Sequence, residues 1–387
     1  MLITIITFII VLSVLVFAHE LGHFLTARRF GVRAEEFGFG FPPRAFGVYK
    51  KTDGKWKLVW GAREVSDASD TVYSINWLPL GGFVKIKGEN GEAEAEMDSF
   101  ASRKVWQRAI MLSAGVVMNI ILAAVLISAG FMIGLPQALD GQLSAGARIS
   151  DKKIQIVEVL PKTPAQAAGL QIGDTILSID GKTFDSYAPL QAYVSSKIGK
   201  VVDYKIKRGQ GTLDEKITPQ AMAAAGQGGV GIAITQTGIV SYPWYIAIVE
   251  GVKTTGVLIW AIIMAFYELI KSLFAGQGVG ADIAGPVGIA TLTGQVAREG
   301  FIYLLQFTAL LSINLAVINF FPFPALDGGR VLFLIIEKIK GAPVKREVEG
   351  MIHNIGFALL MILVLLVTFH DVSRFSSAFQ HFFSKIF

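Results

Sequence analysis

His19-Glu20-Leu21-Gly22-His23 is the run of residues in this sequence best suited to chemistry. Side chains at i and i+4 share one face of a helix, so both imidazoles can reach a single Zn2+. Glu20, about 100° round from His19, can reach a water beside that metal. The motif closes an apolar run: residues 1–18 carry no charge, and the first basic residue is Arg28. Ionisable side chains inside a membrane span are costly unless paired or ligated, so three in this motif imply a compensating metal. Cysteine is absent, which leaves imidazole and carboxylate as the available ligands.

A catalytic zinc takes three protein ligands and leaves a fourth position for water. The third ligand is expected at Asp327, within Asn319-Phe320-Phe321-Pro322-Phe323-Pro324-Ala325-Leu326-Asp327-Gly328-Gly329-Arg330. This segment follows a span that crosses in the same sense as the first, which puts Asp327 at the depth of His19 and His23. Pro322 and Pro324 break the helix, and Gly328-Gly329 allows close approach to a metal. His353 is a rival ligand, but nothing near it repeats the metal spacing, and it is expected to be a polar helix-packing residue.

The elements that must hold these residues are membrane spans. Of 387 residues, 52% are hydrophobic and only 17% charged, with a mean hydropathy of +0.54. That balance excludes a single soluble globule and predicts an integral protein of the lipid bilayer. The net charge of +5 is ascribed to cytoplasmic loops and not to nucleic acid, since no basic-aromatic module is visible. Four spans are expected, at residues 1–25, 109–135, 301–335 and 351–370, each long enough to cross as a helix. Between them lie a β region at 26–108, a strand-rich domain at 136–240, an interfacial amphipathic helix and linker at 241–300, and a loop at 336–350. A tail follows at 371–387. Four spans put the basic loops after the first and third (Arg28, Arg29, Arg33 and Lys338, Lys340, Lys345) on one side, as the positive-inside rule requires. A fifth span over 245–274 would separate them.

Within 73–86, two short strands are expected to meet at Pro79-Leu80-Gly81-Gly82. Strand backbone at membrane depth needs cover from protein or a water cavity. An exposed edge there is expected to hold substrate by strand addition, with Tyr73, Ile75, Gly81 and Gly82 as candidate contacts. Glu89, Glu92, Glu94, Glu96 and Asp98 read as a solvated acidic loop. In the strand-rich domain, residues 164–181 resemble the bacterial PDZ signature, and Gly228-Gly229-Val230-Gly231 is the candidate carboxylate-binding loop of its groove.

In order and content, the His19–His23 motif, Gly115-Val116-Val117-Met118-Asn119, the PDZ insert and the 319–329 motif resemble the site-2 protease family of intramembrane zinc metalloproteases. The resemblance covers essentially the whole chain, and residues 336–344 look like the bacterial regulator of sigma-E protease branch. It implies zinc on His19, His23 and Asp327, catalysis by Glu20, and a substrate backbone held by Asn319. The implied fold is a polytopic α-helical membrane protein of four spans, with a membrane-reentrant β-hairpin and an inserted α+β PDZ domain. The implied setting is the bacterial inner membrane, with the PDZ domain on the extracytoplasmic side. The implied substrates are single-pass, membrane-anchored proteins already cut once outside the membrane, such as anti-sigma factors or signal-peptide remnants. Two departures stand out: one PDZ domain where that branch typically has two, and Arg330 where its motif commonly has His. Two other classes fit the sequence less well. A catalytically silent adaptor is disfavoured by the intact Glu20, and a metal transporter by the lack of repeated halves and of acids along a path.

Overall fold

The computed structural model describes residues 2–89, 96–139, 143–209, 211–221, 228–276 and 284–374. The chain divides into two compact units, Ser128–Glu250 and the remainder.

In the remainder, α1 (Leu2–Arg29) is built almost wholly from aliphatic and aromatic residues until Glu20. Hydrocarbon offers no partner for backbone groups, so such a run satisfies them within a helix. Arg28 and Arg29 complement its carboxyl end. Gly31, at φ +69°, ends it. Three strands follow: β1 (Ala34–Lys50), β2 (Trp56–Trp60) and β3 (Val72–Ile86), in the order β2-β1-β3. Both β1 and β3 bend. Phe37 pairs with Val84 on one side and Tyr73 on the other, and Phe39 with Gly82 and Ile75; residues 46–48 of β1 then pair again with 73–75. The two arms of β3 therefore flank β1 and do not pair with each other. The expected hairpin is corrected accordingly: the bend at Pro79-Gly82 carries the chain over β1 to its far side. The outer arm, 82–86, has no further strand beside it among the described residues.

Helix α2 (Val105–Ile133) runs antiparallel to α1, with Met111 at His23 and Asn119 at His19. Gly22 makes the crossing tight, since a Cβ there would lie 2.3 Å from the Ala114 carbonyl oxygen. The acidic run is only partly solvated. Glu89 pairs with Arg330, Lys87 binds Glu96 and Asp98, and Glu92 and Glu94 lie outside the described residues.

The unit Ser128–Glu250 contains a six-stranded antiparallel sheet in the order β4-β11-β5-β6-β7-β8. Its strands are β4 (Leu135–Ala138), β5 (Arg148–Val159), β6 (Thr175–Ile179), β7 (Val202–Arg208), β8 (Gly211–Ile217) and β11 (Ile232–Ser241). Short strands β9 (Gln220–Ala221) and β10 (Gly228–Gly229) pair separately. Helices α3 (Pro164–Ala167) and α4 (Tyr187–Ser195) complete it. Ile154, Ile156, Ile179, Tyr204, Ile206 and Leu190 share one buried core. The alternation of apolar and polar residues along β7 (Val202, Tyr204 and Ile206 buried, the others outward) supplies one wall of it.

Five further helices follow: α5 (Trp244–Phe274), α6 (Pro286–Glu299), α7 (Phe301–Phe320), α8 (Asp327–Lys340) and α9 (Arg346–Arg374). The Gly294 backbone touches Thr4, just before α7, and Asp327, just after it, reaches His19. α7 is thus parallel to α1. α9 runs the other way, with His353 at Ala325 and Asp371 at Gly288. Among the described residues, five helices have the length and composition to cross a membrane: α1, α2, α5, α7 and α9.

Candidate metal centre

Three donor atoms converge where α1, α2 and the α7–α8 connection meet. His19 Nε2 lies 3.2 Å from His23 Nε2. Asp327 Oδ2 lies 3.0 Å from the first and 3.5 Å from the second. Zinc bonds to nitrogen and oxygen of about 2.0–2.1 Å give tetrahedral edges of roughly 3.3 Å, so the spacing fits one ion. Asp327 Oδ2 is buried with no hydrogen-bond donor, an arrangement that a cation would compensate. Among the described residues, these three form the group of His, Asp and Glu able to hold a metal.

The protonation of the rings also fits. His23 Nδ1 lies 2.8 Å from the Met111 carbonyl oxygen. A carbonyl only accepts, so Nδ1 carries the proton and Nε2 presents its lone pair. Asn119 Nδ2 lies 3.2 Å from His19 Nδ1, while Asn119 Oδ1 is buried without a partner; turning the amide over brings Oδ1 to the ring, where it accepts from Nδ1–H and does the same for His19. Asn119 is fully buried, and its own carbonyl accepts from Ser312 Oγ at 2.8 Å. Gly115 leaves the space: a Cβ there would lie 2.4 Å from His23 Nε2 and 2.6 Å from His19 Nε2.

Asp327 is brought in by the helix break. α7 stops at Phe320, Ala325 adopts φ +79°, and α8 restarts at Asp327. The Ala325 N–H donates to His353 Nδ1 at 2.9 Å, so His353 holds the connection and stands outside the donor group. Gly328 and Gly329 would drive a Cβ to 2.3 Å from the carbonyl oxygens of Phe320 and Phe323 respectively, which is why the turn takes glycines. Arg330 pairs with Glu89 across to the end of β3.

Glu20 sits beside this group on α1, and the outer arm of β3 passes against it. A Cβ on Gly82 would lie 2.9 Å from Phe17 Cα and 3.3 Å from Glu20 Cβ, and one on Gly81 would meet Val16 at 2.4 Å. Tyr73 and Ile75 occupy the inner arm, where both strand edges are already paired. They cannot take part in strand addition, and that assignment is corrected. Their side chains line an apolar cavity of about 290 Å³ with Phe17, Phe37, Phe39 and Phe46. Asn319, in the last turn of α7, is half-buried. In the other unit, Gly228 and Gly229 pair with Ala221 and Gln220. Val230 is buried with its carbonyl accepting from Ala165 N at 2.9 Å, and the Gly231 carbonyl accepts from Leu160 N. Residues 222–227, which lead into this loop, lie outside the described residues.

Sequence reasoning gave no role to Ser13, and it named Asn119 without a function. Each is a buried polar residue in an apolar run, and that was the available signal.

The family model for Peptidase family M50 matches residues 7–60 and 64–363. The regulator of sigma-W protease RasP of Bacillus subtilis (strain 168) is 32% identical over 96% of this chain and 98% of its own length. The zinc metalloprotease RasP of Geobacillus kaustophilus is 30% identical over 96% and 98%. Among solved structures, the PDZ domain of an SdrC-like protein from Listeria innocua is 32% identical over 21% of this chain and 92% of that domain, with a TM-score of 0.20. Matched along nearly its whole length, with two imidazoles and a carboxylate gathered at zinc spacing, the chain belongs to peptidase family M50, the site-2 protease family of zinc metalloproteases.

Proposed function

We propose that this enzyme performs regulated intramembrane proteolysis, cutting one transmembrane helix of a single-pass protein whose outer domain has already been removed. The convergence of His19, His23 and Asp327 beside Glu20, at the end of an apolar helix, carries this reading. When bound by those three residues, Zn2+ supplies Lewis acidity, which acidifies water and polarises a carbonyl. Glu20 is the general base: it takes a proton from the attacking water and returns it to the leaving amine nitrogen. Neutral Nε2 donors are kept ready by the Met111 carbonyl on His23 and, with its oxygen turned to the ring, by the Asn119 amide on His19.

A helix hides its carbonyls in hydrogen bonds, so the substrate must be extended before it is cut. The outer arm of β3 is the proposed edge for it, because Gly81 and Gly82 bring that strand onto α1 at Glu20. Asn319 is proposed to satisfy a backbone group of the unwound segment. The Bacillus subtilis relative carries the name regulator of sigma-W protease, which supports a regulatory cleavage here, with an anti-sigma factor or a signal-peptide remnant as substrate class.

Four spans are proposed, with α5 lying along the outer leaflet. Helices α1 and α7 run in the same direction, so an even number of crossings must separate α2 from α7. α6, about 21 Å long as a 14-residue helix, packs near Thr4 and is too short to carry the chain back across about 30 Å of hydrocarbon. The site then faces the cytosol of a bacterial inner membrane, and the strand-rich domain is extracytoplasmic. That domain is proposed to act as a PDZ module that screens substrates, with Gly228, Gly229, Val230 and Gly231 binding a newly exposed carboxyl terminus. A test is to incubate the purified enzyme with a single-pass substrate, intact and trimmed. Zinc-dependent cutting within the helix of the trimmed form alone supports the proposal; cutting only in soluble loops refutes it.

A further inference from the structure

Ser13 is almost fully buried on α1, where it makes two hydrogen bonds to the bend of β3. Its Oγ donates to the Pro79 carbonyl oxygen at 2.9 Å and accepts from the Gly81 N–H at 3.2 Å. From this point strand and helix stay abreast. Gly81 lies on Val16 and Gly82 on Phe17 and Glu20; Val84 and Leu21 pack against the cluster that holds Phe24, and Ile86 shares a cluster with Ala27. From Ser13 to Ala27 a helix rises about 21 Å, and from Pro79 to Ile86 a strand rises about 23 Å. Two elements of such different pitch stay abreast over this length, and Ser13 joins them by hydrogen bonds where the run starts.

The bond also limits what the strand can offer. Pro79 has no N–H, and its carbonyl and the Gly81 N–H are both taken by Ser13. Those two groups are therefore closed to a bound chain, and Gly82 follows them abreast of Glu20. Among the described residues no other hydrogen bond ties the bend to α1: Gly81 at φ +89° presents no side chain, and its contact with Val16 is apolar.

We infer that Ser13 is a positioning residue that sets the register between the substrate-holding strand and the catalytic helix, and so selects which peptide bond of a bound substrate is cut. The inference rests on the strand-addition reading proposed above. Strand register slips by two residues when the same face is kept inward, so a loosened bend should produce a discrete set of shifted cuts.

The test uses the full-length protein reconstituted in liposomes with a single-pass substrate, reading product termini by mass spectrometry and zinc by metal analysis. Ser13→Ala should keep its zinc and shift the ratio of main product to products cut about two bonds away by about fivefold. Ser13→Thr, which retains the hydroxyl, should restore the single cut, and Ser13→Cys, a weaker donor, should fall between. If the alanine variant does not load zinc, the comparison of Ser13→Cys with Ser13→Thr carries the result. A separate arm places a cysteine at Phe83 in the Glu20→Gln background and scans single cysteines along the substrate. The chain has no cysteine of its own. Disulfides at alternate substrate positions with an unchanged cut in zinc-loaded Ser13→Ala and Ser13→Cys overturn the Ser13 assignment alone. No alternation of cross-links overturns strand addition, and the register proposal with it.

Discussion

The Asn119 amide stands 3.2 Å from His19 Nδ1 in a pocket that excludes solvent from the asparagine. Turned so that its oxygen accepts from Nδ1–H, the amide leaves His19 Nε2 as the lone-pair donor to the metal, with no competing tautomer. Asn119→Leu keeps the volume and removes the partner. Zinc affinity, measured by competition with a chelator, should fall about 10–100-fold, the usual effect of losing a second-layer partner. An unchanged affinity would show that α1 alone orients His19.

Gly115→Ala tests the space between the rings. A methyl group at that position needs the volume between two Nε2 atoms. Neither ring can swing away, because Met111 and Asn119 hold the opposite nitrogens. The purified variant should be helical and depleted in zinc. Full zinc content would mean that α2 backs away from α1 more easily than the close Gly22–Ala114 contact suggests.

Glu20→Gln and Asp327→Asn should separate catalysis from ligation. Glutamine leaves all three ligands in place, so zinc is retained while cleavage falls by about 10²–10⁴-fold, the range of a lost general base. Asparagine exchanges a carboxylate ligand for a neutral amide, and zinc and cleavage should fall together. The measurement is metal content beside cleavage rate in the same preparation; zinc loss in the glutamine variant would place Glu20 among the ligands.

Cysteine labelling reads the topology. With four spans, cysteines at Lys51 and Lys345 react only with reagents that enter the cytosol, and one at Lys182 reacts from outside. Labelling at 345 from outside, with 51 still inside, would mean that α5 crosses.

The strand-rich domain carries its own acid sensitivity. Asp180 accepts the Asp203 N–H and the Tyr193 hydroxyl, both at 2.9 Å, and these bonds hold its carboxyl below the ordinary value of 3.8. A group whose folded-state pKa is lowered stabilises above its unfolded value and ceases to do so as pH falls through the folded one. Hydrogen exchange at the Asp203 amide, corrected for intrinsic rate, should accelerate below about pH 4. Asp180→Asn should weaken protection at neutral pH and abolish this acid step. A step that survives in the variant belongs to another carboxylate.

Much of this was legible because it follows local periodicity or parity. The face shared by His19 and His23 is a property of any helix carrying that spacing. Asp327 was placed by counting crossings and basic loops, and the break at Pro322 and Pro324 by the missing N–H of proline. What the sequence left open were pairings between distant segments. Strand propensity marks 72–86 as extended, yet it cannot say that β1 lies between the two arms. That arrangement alone removes Tyr73 and Ile75 from the free edge and leaves Gly82 beside Glu20. Ser13, Asn119 and His353 likewise acquire their roles from partners 66, 100 and 28 residues away. Propensity and periodicity report on a residue and its near neighbours. Which hydrogen-bond edge stays unpaired, and which buried polar atom meets which, is decided only when the packed helices bring remote backbone into contact.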